Sequence, residues 1–354
     1  MTPRDLHIDN VFELHTSEAS PARRLLVVFS AANASSFTFF KSTEKMRPDK
    51  LYIRDPEGNA WYQNGLRDGE NLDDIEARIR GVAKDYREIW MIGSSMGGYA
   101  ALYFGAKLKA QRVLAIAPQI IVDNRFFRGP RKGVQVQTPD ITELVLEAKA
   151  TQFTIIFGSF DLIDTYNISR LYQGGVIPLH IRVIGYEGQD HMLPIQIEEE
   201  CTLQHYFQMV LSKTAVPQLS FPCAEGQPLG EERLKELTFY VDCIVAKKFQ
   251  AAYDGLLDVC EADLNWHAMR YYRLLSGFRA GVDRSDLRVP ASHLSDLHPR
   301  AIDFAFLAAQ CCEETGDVEA ARHYLKRVFS IRRSHPPGRA MLERLNEQSK
   351  VTAP

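Results

Sequence analysis

Nowhere in the 354 residues does an apolar run approach the ~20 residues that a bilayer-spanning helix needs, so no membrane span is expected. The opening residues Met1-Thr2-Pro3-Arg4-Asp5-Leu6 also lack the basic stretch and apolar run of a secretory signal, and a cytoplasmic location is the expectation. Charge of one sign is missing too: Lys+Arg total 42 against 45 Asp+Glu, a net charge of −3. So even a balance supplies no field to hold nucleic acid or an anionic membrane, and neither is expected as a partner. Cysteine is sparse and unpatterned. The six residues Cys201, Cys223, Cys243, Cys260, Cys311 and Cys312 form no C-x-x-C pair and have no histidine at metal-ligand spacing. That argues against a disulfide framework and a zinc site, and no metal or other cofactor is expected. Cys311 and Cys312 fall on an apolar helical pattern, where cysteine packs as a small hydrophobe.

What is present reads as a folded chain. A hydrophobic fraction of 45% with 25% charged residues is that of a globular protein, and 354 residues exceed the size at which one core usually stops growing. The first part alternates short β-rich apolar runs with amphipathic stretches, the pattern of β-α units on a largely parallel sheet. Strands are predicted at Leu25–Phe29, Lys50–Ile53, Ile89–Ile92, Arg112–Ile116, Phe153–Phe157 and Leu179–Ile184, and helices over about 72–86, 96–109, 139–150 and 195–212. Between 213 and 230, Pro217, Pro222 and Pro228 break the pattern and predict a linker. From 231 to 345 strand signals stop and helices follow one another. Phe249–Leu257 and Val318–Leu325 look alike, and Phe304–Gln310 followed by Gly316-Asp317 and Ala320-Ala321 resembles a tetratricopeptide-type helix pair. The organisation predicted is an α/β domain over 1–212, a linker over 213–230 and an all-α, repeat-like domain over 231–345 that is a candidate for binding a protein partner. A plain helical bundle is the alternative for the last of these.

The chemistry centres on Gly93-Ser94-Ser95-Met96-Gly97-Gly98. At average glycine and serine usage, a Gly-x-Ser-x-Gly pattern occurs by chance in roughly one chain in ten of this size, so context must decide. Here a predicted strand ends at Ile92 and a helical pattern begins with Tyr99-Ala100-Ala101-Leu102. A strand-to-helix turn this tight strains the nucleophile and presses neighbouring segments together, which glycine alone tolerates at positions 93 and 97. In this register the exposed hydroxyl belongs to Ser95.

The segment resembles the nucleophile elbow of the α/β-hydrolase superfamily, over roughly residues 20–212, which implies an α/β-hydrolase fold with a mostly parallel central sheet. The resemblance implies the chain order serine, acid, histidine. Gly158-Ser159-Phe160-Asp161 is similar to the Gly-x-x-Asp turn that carries the acid, making Asp161 the candidate. Asp164, one turn on, reads instead as the N-cap of a helix beginning near Thr165. Gly185-Tyr186-Glu187-Gly188-Gln189-Asp190-His191 places His191 where the family carries its base. The oxyanion donors implied are the Met96 N–H and, from the loop after the first central strand, the Ala31 N–H, with Ala32 open and Ser30 or Asn33 as side-chain donors. More narrowly, Phe37-Thr38-Phe39-Phe40-Lys41, Arg54-Asp55-Pro56 and Trp61-Tyr62 resemble hydrolase-fold proteins associated with bacterial surface polysaccharide and glycoprotein export.

Open α/β sheets bind ligands beyond the carboxyl ends of their strands, so loops 30–36, 54–71, 118–138 and 185–194 are expected to line the site. Trp61 and Tyr62 can stack on a sugar face or plug the long loop. Arg125, with Arg128, Arg131 and Lys132, can meet an anionic substrate or form a solvated basic loop. The expectation is a serine esterase or deacylase acting on a small-molecule or glycan ester. Its alternatives are an acyltransferase with the same residues and an interaction protein with a vestigial hydrolase fold.

Overall fold

The computed structural model describes residues 8–16, 23–122, 129–172, 176–187, 189–213, 215–221, 223–225, 231–262 and 267–351. They divide into two compact units, Met1–Lys235 and Glu236–Pro354.

The first unit is built on an eight-stranded sheet: β1 Phe12–His15, β2 Arg24–Phe29, β3 Asp49–Ile53, β4 Glu88–Ser94, β5 Arg112–Ile116, β6 Gln152–Gly158, β7 Ile181–Tyr186 and β8 Cys223–Glu225. Their order is β1-β3-β2-β4-β5-β6-β7-β8. The six inner strands run parallel, and β1 and β8 are antiparallel edges. The apolar runs of the inner strands are continuous because both faces are buried. Side chains therefore alternate between two cores. Leu25, Val27 and Phe29 enter one, with Met91, Val113 and Ala115, while Leu26 and Val28 enter the other, with Trp90, Ile92, Leu114 and Ile116.

Helices cover each face. The short α1 (Phe40–Thr43) is followed by α2 (Leu72–Ala83) and α3 (Met96–Leu108), which fill the first core with Leu72, Ile75, Ile79, Ala100, Ala101 and Phe104. After α4 (Thr142–Glu147) and α5 (Leu162–Ser169), the second core is closed by α6 (Leu193–Glu200) and α7 (Leu203–Lys213) through Leu193, Ile197, Tyr206 and Phe207. The single helix expected over 195–212 is thus two. Cys201 is extended, and Thr202 Oγ1 accepts from the His205 N–H at 3.2 Å, so a cap breaks a continuous apolar pattern. The proline-rich stretch after α7 supplies β8, whose three residues pair with β7.

Beyond it come α8 (Glu231–Val245), α9 (Phe249–Ala262), α10 (His267–Ala280), α11 (Arg284–Leu297), α12 (Ile302–Glu314), α13 (Val318–Ile331) and α14 (Pro336–Val351). Asp283 and Asp317 cap α11 and α13 by accepting from the N–H groups of Ser285 and Ala320. Phe304, Leu307, Ala308, Cys311, Ala321, Leu325 and Val328 are buried along α12 and α13. Burial pushes the Cys311 thiol up to about 12, which keeps it protonated and inert. Among the described residues no helix is long and apolar enough to cross a membrane.

One half-buried histidine pair in this unit makes its stability depend on pH. His298 Nε2 lies 2.6 Å from His267 Nδ1, and burial, then the neighbouring His267, pushes His298 down from 6.5 to about 4. As pH falls through about 6.5 the unfolded chain takes up a proton that folded His298 refuses until about pH 4, so stability declines across that window and is flat above it. The melting temperature followed by helical circular dichroism is expected to drop over that range, and less so in His298→Gln.

Candidate active site

The turn from β4 into α3 holds Ser95 at φ 56° and ψ −120°, a conformation that costs a non-glycine residue of order 1–3 kcal/mol. Its surroundings over-determine it: the Ser95 N–H donates to the Ile116 carbonyl at 2.9 Å, extending the β4–β5 ladder past Ser94. Glycine is required nearby by space and not by φ. A Cβ on Gly97 would sit 2.5 Å from the Phe29 carbonyl oxygen and 2.8 Å from that of Ser30, and one on Gly93 would overlap the Gly97 carbonyl.

His191 lies between β7 and α6 and is half-buried, as is Ser95. Its Nε2 is 2.9 Å from Ser95 Oγ. Its Nδ1 is 2.9 Å from both carboxylate oxygens of Asp164, which is fully buried. A carboxylate facing Nδ1 assigns the ring proton there, leaving the Nε2 lone pair to accept from the serine hydroxyl.

The acid beside the histidine is therefore Asp164, and the expectation of Asp161 is corrected. Helix α5 begins at Leu162, three residues earlier than the sequence suggested, so Asp161 is its N-cap and accepts from the Asp164 N–H at 2.9 Å. Capping engages one oxygen of the carboxylate that the motif nominated. Asp164, in the first turn, is the side chain that reaches His191. Asp161, Asp164 and His191 also place one potential ligand atom each within 4.8 Å of one another, but capping and the Asp164–His191 hydrogen bonds already explain that cluster.

Two loops are tied together to fix this geometry. The Phe160 N–H donates to the Gln189 carbonyl at 3.0 Å and the Ser159 N–H to the Tyr186 carbonyl at 3.0 Å. At Gly158 any Cβ would collide with the Gln189 backbone, so glycine lets the acid-bearing turn press against the histidine loop. Asp190 stays structural, accepting from the Met192 N–H at 2.8 Å.

Met96 is buried as the first residue of α3, where helix N–H groups lack intrahelical partners. The Ala31 N–H, expected as the second oxyanion donor, instead donates to Thr38 Oγ1 at 3.0 Å. Trp61 and Tyr62 do not offer a stacking platform. Both are fully buried, with the Trp61 indole N–H donating to Asn59 Oδ1 at 2.9 Å and the Tyr62 hydroxyl to the Ser30 carbonyl at 2.8 Å. They are the plug of the 54–71 loop. Burial raises the Tyr62 hydroxyl well above its ordinary pKa, so it remains a donor bracing the residue before Ala31. Asp55 is likewise internal to that loop, accepting from the N–H groups of Glu57 and Ala60. Arg125 and Arg128 lie outside the described residues, and Arg131 is paired with Glu57.

A parallel sheet with antiparallel edges carries the serine after β4, an acid after β6 and a histidine after β7, in that chain order. The fold is that of the α/β-hydrolases. No protein-family model matches the chain, and no curated protein matches it. Solved structures similar to it include the Glycosylation Associate Protein (Gap123) complex from Streptococcus agalactiae, 21% identical with a TM-score of 0.45 over 60% of this chain and 47% of that one. Another is the capsule O-acetyltransferase of Neisseria meningitidis serogroup A, 15% identical with a TM-score of 0.42 over 58% and 92%. A third is FphF, a fluorophosphonate-binding serine hydrolase of Staphylococcus aureus, 14% identical with a TM-score of 0.38 over 52% and 90%. This chain spans about half, 47%, of the Gap123 chain it matches.

Proposed function

We propose that the protein is a serine esterase or deacylase acting through an acyl-enzyme on Ser95. The observation that carries this reading is the unbroken hydrogen-bonded chain from Ser95 Oγ through both nitrogens of His191 to Asp164. A serine hydroxyl is inert without such a base and a group to orient it. In the reaction, Ser95 Oγ bonds to the acyl carbon as its proton passes to His191 Nε2 and the carbonyl π pair moves onto oxygen. Collapse restores the carbonyl and breaks the bond to the leaving alcohol, which takes the proton from His191. Water then repeats the sequence and releases the acid, while the buried Asp164 carboxylate stabilises the imidazolium each time. An acyl ester of a glycan or related cell-surface molecule is the substrate class proposed, on the resemblance of the segments around Phe37–Lys41 and Arg54–Pro56 to surface-polysaccharide proteins.

With a short-chain aryl ester, quenched samples are expected to carry one acyl group on the Ser95 peptide, and the acyl group to end as free acid. If added sugar acceptors captured most of it, the same covalent step would serve acyl transfer and the hydrolase reading would fall.

A further inference from the structure

Resting on that reading, we propose that the Thr38 hydroxyl is a catalytic donor to the oxyanion formed on the acyl group, standing where the Ala31 N–H was expected to act. An oxyanion needs preorganised donors in addition to the one that follows the nucleophile. Strand β2 ends at Phe29, paired with Gly93, and the Phe29 and Ser30 carbonyls come so near Gly97 that no Cβ fits. The Ser30–Ala31 peptide thus adjoins the first turn of α3, two residues from Ser95.

The Ala31 N–H is engaged by Thr38 Oγ1 at 3.0 Å, and the Thr38 N–H in turn donates to Ser30 Oγ at 3.0 Å. Ser30 is itself immobilised, fully buried with its N–H on the Ile53 carbonyl and its own carbonyl held by the Tyr62 hydroxyl. Thr38 is therefore clasped at two points to an anchored segment. A threonine hydroxyl has one O–H and two acceptor lone pairs. Ala31 occupies an acceptor position, and among the described residues the Thr38 O–H meets no protein acceptor. Thr38 is half-buried. A hydroxyl that already accepts a hydrogen bond is polarised into a stronger donor. The anchored clasp supplies the preorganisation, and the backbone dipole of Ala31 acts through the hydroxyl.

The test is Thr38→Val, nearly isosteric but without the O–H, beside Thr38→Ser, which keeps it. Each is measured for kcat and KM on a short-chain aryl ester, for inhibition by an aryl boronic acid that forms a tetrahedral adduct, and for melting temperature. Loss of one oxyanion donor costs about 10²–10³ in kcat. The valine variant should lose that much in kcat and in boronate affinity with KM and melting temperature little changed, and the serine variant should stay within about tenfold of wild type. Unchanged or increased kcat in Thr38→Val would overturn the proposal, since Thr38 would then merely cover the Ala31 N–H. A serine variant as impaired as the valine one, or a loss tracking KM and melting temperature, would also overturn it by making the residue structural. Failure of the wild type to acylate Ser95 is a separate result that removes the esterase reading itself.

Discussion

Ser95→Ala is expected to abolish ester hydrolysis, lowering kcat by roughly 10⁴–10⁶, because it removes the hydroxyl on which the proposed acyl-enzyme forms. His191→Ala should cost a comparable amount, since Ser95 Oγ then loses the acceptor 2.9 Å away at Nε2. The double variant should be scarcely worse than either single one. Residues that act as one unit lose nearly everything with the first removal. Ser94→Ala supplies the control: Ser94 ends β4 in register with Ile116, and activity should stay within about tenfold of wild type. The readout is kcat/KM on a short-chain aryl ester, with circular dichroism showing an unchanged fold.

The second large effect separates two carboxylates three residues apart. Asp164→Asn presents an amide to His191 Nδ1, favours the wrong tautomer and should lower kcat by about 10⁴. Asp161→Asn should be nearly silent, because asparagine caps a helix about as well as aspartate, while Asp161→Ala should lose about 1 kcal/mol of stability and little of kcat. The reverse ranking would return the acid role to Asp161. Steady-state kinetics with thermal melts on the three variants decides it.

Why the sequence named Asp161 and not the aspartate that lies against His191 is a matter of one helical turn. Gly158-Ser159-Phe160-Asp161 fits the family turn, but α5 starts at Leu162, and only the helix start determines which carboxylate caps and which projects toward the histidine loop. Propensity does not resolve a boundary to that accuracy. The inner strands were legible because burial on both faces makes them continuous apolar runs, as in Leu25–Phe29 and Phe153–Phe157. The edge strand β8 was not, since Cys223-Ala224-Glu225 is too short to show alternation and sits among prolines. Ser95 and His191 were legible because a tight elbow and a loop before a helix leave glycine where chain segments nearly touch. For Trp61 and Tyr62 the sequence left sugar platform and loop plug both open, because an aromatic pair in a loop carries no sign of its own burial. Their positive φ values of 57° and 61° fold both rings inward, and only coordinates reveal that. Thr38 stands within an aromatic motif that assigns it no role. Its contact with Ala31 spans seven residues of irregular chain, for which no periodicity exists to read.

Labelling of the full chain with a fluorophosphonate, followed by peptide mapping, tests the Ser95 chemistry most directly. The expected result is one phosphonyl group on the peptide containing Ser95, retained in Ser94→Ala and lost in Ser95→Ala and, by loss of the base, nearly lost in His191→Ala. A folded protein that leaves Ser95 unlabelled, or label that persists at another residue when Ser95 is replaced, would contradict it.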